Sequence, residues 1–227
     1  MPSFTFRPSS QFWLNSEAIG GDNSSLLHLA ADNCHRGTVE LLFGKGAPID
    51  QENNSLLHCA AGSGYTDTVK LLLDKGAPIE ARNTNGSTPL HCATINGHTG
   101  AMELLLKKGA SIEARRENGD NPLHLAAYRG HTGAVELLLE KGASIESTGQ
   151  QGNTPLHCAV LNGETETVEL LIRRGASIEA RDKFFSTPLF WAKGRRHTDV
   201  VQLLENKAAE LAGTRGQSSF LASVFGW

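Results

Sequence analysis

Three histidine–cysteine pairs are the residues best suited to chemistry: His58-Cys59, His91-Cys92 and His157-Cys158. Imidazole and thiolate are both zinc ligands, but a structural zinc site needs about four of them converging at roughly 2.0–2.3 Å. The spacing argues against convergence. The histidines at 28, 58, 91, 124 and 157, with Phe190 at the next place, are separated by steps of 30, 33, 33, 33 and 33 residues. Each pair therefore belongs to its own layer of a repeating array. Within a pair, side chains at i and i+1 diverge on a helix, so no pair chelates by itself. Nucleophilic and phosphate-binding templates are also missing. The chain contains no Gly-x-x-x-x-Gly-Lys-Ser/Thr, His-Glu-x-x-His or Gly-x-Ser-x-Gly. No catalytic residue, metal or cofactor is expected.

The elements that carry these histidines follow from the same period. Thr88-Pro89-Leu90-His91 and Thr154-Pro155-Leu156-His157 are identical, and Asn121-Pro122-Leu123-His124, Ser55-Leu56-Leu57-His58, Ser25-Leu26-Leu27-His28 and Thr187-Pro188-Leu189-Phe190 are variants. Thr or Asn can N-cap a helix, and Pro fits the first helical position, where its missing N–H costs nothing. The spacing predicts a short helix from Pro122 to about Arg129, stopped by Gly130 in a left-handed conformation. A second helix is predicted from about Thr132 to Lys141, with Val135, Leu138 and Leu139 on one buried stripe and Gly142 closing it. Asn118-Gly119 and Gln151-Gly152 suit tight turns. Neither helix can bury its stripe alone, so stacking on neighbours is required.

Six phased copies of this pattern resemble the ankyrin repeat. Thr88-Pro89-Leu90-His91-Cys92-Ala93, Gly97-His98, Leu104-Leu105-Leu106 and Gly109-Ala110 carry the likeness. The resemblance implies an all-α solenoid of L-shaped repeats with β-hairpin fingers and short helices lining a concave groove. It implies that each motif imidazole bonds its capping residue and the neighbouring finger's backbone. It also implies a protein-binding module without enzymatic activity. Adaptors, for instance within a ubiquitin ligase, and effectors delivered by intracellular bacteria share this architecture, as do structural spacers and fragments of longer arrays. The finger position where many family members carry a hydroxylatable Asn holds Glu80, Glu113, Glu146 and Glu179 here.

Three segments are expected. Residues 1–21, with Phe4, Phe6, Phe12 and Trp13, form a capping helix or a loose tail; residues 22–212 form the six-repeat domain; residues 213–227 form a tail or a degenerate half-repeat cap. In the half-repeat reading, Ser218-Ser219-Phe220-Leu221-Ala222 is a worn motif covering Phe190 and Trp191. The first repeat is also aberrant, with Cys34 at the helix-ending glycine and a shortened finger at Ile49 to Asn54.

Variable positions mark the candidate binding surface. Leu90 points inward, and Ile95, five residues on, is rotated by roughly 140°. Ile95, Tyr128 and Leu161 therefore form one row, with Asn96, Arg129 and Asn162 beside it. That row is either a partner-binding patch with an aromatic and an Arg at its centre or packing between helices. Phe184-Phe185 occupies a fingertip and either folds back onto the stack or waits for a ligand. Lys193, Arg195 and Arg196 form a basic cluster with no acidic residue nearby in sequence. Arg82, Arg115 and Arg181 lie two residues past Glu80, Glu113 and Glu179, and read either as surface salt bridges or as a basic strip.

The bulk composition is permissive. With net charge −3, 39% hydrophobic and 20% charged residues, nothing drives the chain toward nucleic acid. No apolar run approaches the roughly 20 residues that span a bilayer, and the first twenty residues lack the apolar core of a secretory signal. Cys59, Cys92 and Cys158 occupy equivalent helices, and even the neighbours Cys59 and Cys92, on adjacent helices roughly 8–10 Å apart, lie beyond the roughly 7 Å Cα separation of a disulfide. Reduced thiols point to an intracellular location, cytoplasmic or nuclear. A monomer that binds a protein partner is the expected assembly.

Overall fold

The computed structural model describes residues 53–149 and 151–225, with side chains placed between 56 and 213. The N-terminal segment, the first repeat and residues 49–52 of its shortened finger lie outside the described residues, whereas Asn53 and Asn54 already belong to the first described helix.

Short first helices alternate with second helices. The first helices are α1 (Asn53–Gly62), α3 (Pro89–Ile95), α5 (Pro122–Tyr128), α7 (Pro155–Asn162) and α9 (Pro188–Arg195). The second helices are α2 (Thr66–Asp74), α4 (Thr99–Lys107), α6 (Thr132–Glu140), α8 (Thr165–Arg173) and α10 (Thr198–Phe225). Each first helix packs on the next first helix, and each second helix on the next second helix. The core is accordingly a strip running through the stack. Leu56, Leu72, Leu90, Leu105, Leu123, Leu138, Leu156 and Leu171 are all fully buried along it.

Local chemistry sets the helix starts. Thr88, Asn121, Thr154 and Thr187 have extended backbone at the N-cap, and Pro follows each. Asn121 Oδ1 accepts the His124 N–H at 3.1 Å, and Thr187 Oγ1 accepts the Phe190 N–H at 3.3 Å. The first helices end where Gly97, Gly130 and Gly163 adopt φ of 71°, 69° and 74°. A side chain at Gly97 would also collide with the His131 ring, 2.9 Å from the added Cβ.

Fingers connect the repeats. No strand is formed among the described residues, but each finger closes with hairpin-type bonds such as Asn83 N–H to Ser87 O at 3.0 Å and Asp182 N–H to Ser186 O at 3.1 Å. Neighbouring fingers join through Glu117 N–H to Asn85 O at 3.5 Å and Lys183 N–H to Gln151 O at 2.9 Å.

The C-terminal end departs from the half-repeat expectation. The other second helices have nine residues, whereas α10 has 28. Gly109, Gly142 and Gly175 stop their helices at φ of 98°, 92° and 97°, and the equivalent place 33 residues on holds Ala208. A Cβ disfavours left-handed backbone, so the helix continues. Ser218 to Ala222 lies within α10 instead of starting a seventh repeat, and Phe190 remains 62% exposed instead of being covered.

Candidate partner-binding site

The motif histidines are structural pins. His91 Nδ1 lies 2.8 Å from Thr88 Oγ1 and accepts the Thr88 N–H at 3.1 Å. His157 Nδ1 lies 2.9 Å from Thr154 Oγ1, and its Nε2 meets Ser186 O at 3.2 Å. His58 and His124 reach Ser87 O at 2.8 Å and Asn153 O at 3.0 Å through Nε2. The His58, His124 and His157 rings thus tie a helix to the next finger, as the family resemblance implied. His91 is the exception: its Nε2 is buried without a hydrogen-bond partner, although the Asp120 carbonyl stands at the equivalent place and still opposes the lowering of its pKa. Burial, with help from the Arg116 charge, pushes His91 down to about 4. Burial also lowers His124 and His157, against the opposing charges of Asp120 and Asp182. Near neutral pH the His91, His124 and His157 rings are therefore uncharged. Burial raises the Cys92 thiol to about 11 and lifts Cys158 further, which keeps both as unreactive thiols. Among the described residues no three His, Cys, Asp or Glu side chains converge as a metal site would need.

The Glu and Arg rows do not pair with each other. Glu80, Glu113 and Glu146 Oε1 accept the N–H of Ser111, Ser144 and Ser177 at 2.7, 2.8 and 2.7 Å. Arg82 Nη1 donates to Gly86 O at 2.9 Å and Arg115 O at 2.6 Å, and Arg115 Nη1 donates to Gly119 O at 2.9 Å and Thr148 O at 2.6 Å. The salt-bridge ladder read from sequence is thus replaced by two sets of clamps between repeats. A carboxylate two residues from a guanidinium offered an obvious pairing. Unpaired backbone groups of the next repeat lie closer, and that proximity is invisible along the chain. The clue was the constant 31-residue step from each Glu to its Ser.

The row on the first helices is assembled at their C-terminal ends. Tyr128 is 44% exposed, and the exposed Arg129 side chain beside it has no hydrogen bond or ion pair among the described residues. Ile95 and Leu161 flank Tyr128 but are half-buried. Their carbonyls accept Nε2 of His131 at 2.9 Å and of His197 at 3.4 Å. Asn96 and Asn162 are exposed yet engaged. Asn96 donates to Gly62 O at 2.8 Å, and Asn162 donates to Glu164 Oε1 at 2.6 Å. The six residues occupy equivalent places at the ends of three successive packed helices, and the Tyr128 and Arg129 side chains at the middle one have no partner among the described residues.

The chain matches the family model described as "Ankyrin repeats (3 copies)" over residues 27–116 and 112–182. The chain belongs to the ankyrin-repeat family. No curated protein matches it. Ankyrin repeats generally serve as protein–protein interaction modules and are generally non-enzymatic. No helix among the described residues of this ankyrin-repeat protein is long and apolar enough to cross a membrane.

The remaining candidates of the ankyrin stack lie in its sixth repeat. Phe184 and Phe185 are 67% and 77% exposed and do not fold back onto the stack. Phe185 sits at φ 59°, where the other described fingertips carry Gly86, Gly119 and Gly152. Asp182 holds this strained tip, accepting the N–H of Phe184 and of Ser186 at 2.8 Å each and Trp191 Nε1–H at 2.8 Å. Burial raises the Asp182 pKa, but those three donors outweigh it and the net direction is down. Arg195 and Arg196 are exposed, and their side chains have no partner among the described residues. Lys193 is not part of a free cluster: it pairs with Glu205, one helix on, at 2.8 Å.

One residue that matters to the row carried no motif signal. Glu164 stands where His98, His131 and His197 stand in other repeats. It packs over Gly130 without donating to the Tyr128 carbonyl, which among the described residues receives no donor equivalent to those on Ile95 and Leu161. The junction beside Tyr128 is therefore less tightly pinned than its neighbours.

Proposed function

We propose that this ankyrin-repeat protein captures one protein partner across the row of first-helix ends, centred on Tyr128 and Arg129, inside the cell. The observation that carries the reading is the free, exposed Tyr128–Arg129 pair between the half-buried Ile95 and Leu161. A Tyr and an Arg at the centre of an apolar patch are the residue types that dominate binding energy in interfaces. Asn96 and Asn162 form the polar rim, and Arg195 and Arg196 steer acidic partners by long-range attraction. Cys92 and Cys158 form no disulfide, which supports a reducing compartment.

The test uses Tyr128→Ser combined with Arg129→Glu. Both side chains are exposed, so the fold survives, whereas Ile95 and Leu161 contribute packing and would confuse the result. Crosslinking and affinity capture should lose the partner in the double variant, with an unchanged unfolding transition. Retention of the same partner at parental yield would end this reading.

The length of α10 favours a second contact of the adaptor type. About 19 residues, or roughly 28 Å of helix, continue beyond the point where other second helices end. Deleting 213–227 from an adaptor would keep the groove partner and lose the second one.

A further inference from the structure

Among the described residues the sixth finger lacks the neighbour that each earlier described finger has. Three clamps join successive fingers. A Glu carboxylate takes a backbone N–H of the next repeat, as in Glu113 to Ser144 at 2.8 Å. An Arg reaches a carbonyl of the next finger, as in Arg115 to Thr148 O at 2.6 Å. A fingertip carbonyl takes an N–H from the next tip, as in Gln151 O from Lys183 at 2.9 Å.

At the same positions in the sixth finger stand Glu179, Arg181 and Phe184. The Glu179 carboxylate has no partner among the described residues. Arg181 Nη1 holds only the Phe185 carbonyl, at 3.4 Å. The Phe184 carbonyl accepts nothing among the described residues. The motif histidine, whose Nε2 would take a carbonyl of the next finger, is replaced by Phe190, which is 62% exposed. The chain's own continuation does not fill the place, because Ala208 lets α10 run on as helix to Phe225. An acceptor, a donor and a second acceptor are thus left open beside three exposed phenylalanine rings, in the register that elsewhere receives a finger.

We infer that the C-terminal face of the sixth finger is a second docking surface, which accepts an extended segment of a partner protein as an added finger. This surface is distinct from the Tyr128 row. The segment it fits offers backbone N–H groups to Glu179 and to Phe184 O, a carbonyl to Arg181, and apolar side chains to Phe184, Phe185 and Phe190. Main-chain pairing supplies affinity in this mode, and side-chain pockets supply specificity. Asp182 holds Phe184, Phe185 and Ser186 in place beforehand, which reduces the ordering cost of binding. The continuity of the repeating interface carries the inference: the open groups are those that already hold a finger at the earlier junctions.

The probe is a synthetic peptide of residues 142–154 of this chain, which carries the Ser144 N–H and the Thr148 carbonyl taken by Glu113 and Arg115 in the stack. It is titrated into the 15N-labelled full chain by NMR. Saturable shifts are expected at Glu179, Arg181, Phe184, Phe185 and Phe190, with a dissociation constant of about 1 mM or tighter. Arg181→Ala and, separately, Glu179→Ala should each weaken binding about tenfold. The Glu179 carboxylate has no partner among the described residues, so that variant remains informative if Arg181→Ala loosens the finger. Tyr128→Ser should leave the titration unchanged, which separates this surface from the groove. Absence of saturable shifts at these residues up to about 5 mM, or parental affinity in both variants, overturns the inference. Self-association of the chain without peptide, abolished by Glu179→Ala, would assign the face to a second copy and overturn the partner reading.

Discussion

His91 illustrates how burial converts a reactive side chain into a structural one. It is fully buried, its pKa is pushed down to about 4, and its Nδ1 accepts from the helix cap. In the unfolded chain the same group titrates near 6.5, so below that value the unfolded state binds more protons than the folded state. Stability is therefore fully present above about pH 6.5 and falls as the pH drops from about 6.5 toward 4. His124 and His157 act in the same direction. Urea midpoints measured between pH 7.5 and 4.5 should decline, and His91→Gln should flatten that decline. Glu164 is the converse case, a polar residue where a pin is missing. Glu164→His should let Nε2 donate to the Tyr128 carbonyl, as His131 does to Ile95 O. One such hydrogen bond contributes about 0.5–1.5 kcal/mol, readable as a higher midpoint with an unchanged slope.

The length of the last helix turns on one methyl group. Gly175 ends α8 at φ 97°, while Ala208 at the equivalent place is carried within α10. Ala208→Gly removes the barrier to left-handed backbone and lowers helix propensity by about 1 kcal/mol. The expected outcome is a helix that stops near residue 207, seen as lost far-UV helical signal and faster amide exchange beyond it. The fingers show the opposite choice. Phe185 accepts a conformation costing about 1–2 kcal/mol per residue because Asp182 and Arg181 hold the tip. Such strain in an exposed aromatic loop is characteristic of surfaces shaped for contact.

Because contacts run only along the stack, damage at its centre should differ from damage at its end. Leu123 is completely buried in α5, between neighbours on both sides. Leu123→Ala should cost about 2–5 kcal/mol and broaden or split the urea transition, because the repeats on either side lose their common junction. Removing Leu204, which has a neighbouring repeat on one side only, should shift the transition without splitting it. Circular dichroism and tryptophan fluorescence, followed together, distinguish the two cases.

Much of this architecture was readable along the chain, because it depends on short-range rules repeated in phase. Thr154-Pro155 set a helix start, Gly130 and Gly142 set helix ends, and Val135 with Leu138 set a buried stripe. The same period placed Ile95, Tyr128 and Leu161 in one row. It did not show that Tyr128 and Arg129 stay free while the flanking residues are half-buried or bonded. Three-dimensional packing settled matters that depend on distance across repeats. Glu113 and Arg115 turned away from each other toward Ser144 and Thr148, and Lys193 found Glu205. Phe184 and Phe185 stayed outside the core. A fixed period specifies which residues are equivalent; only the folded stack specifies which unsatisfied group lies nearest to each.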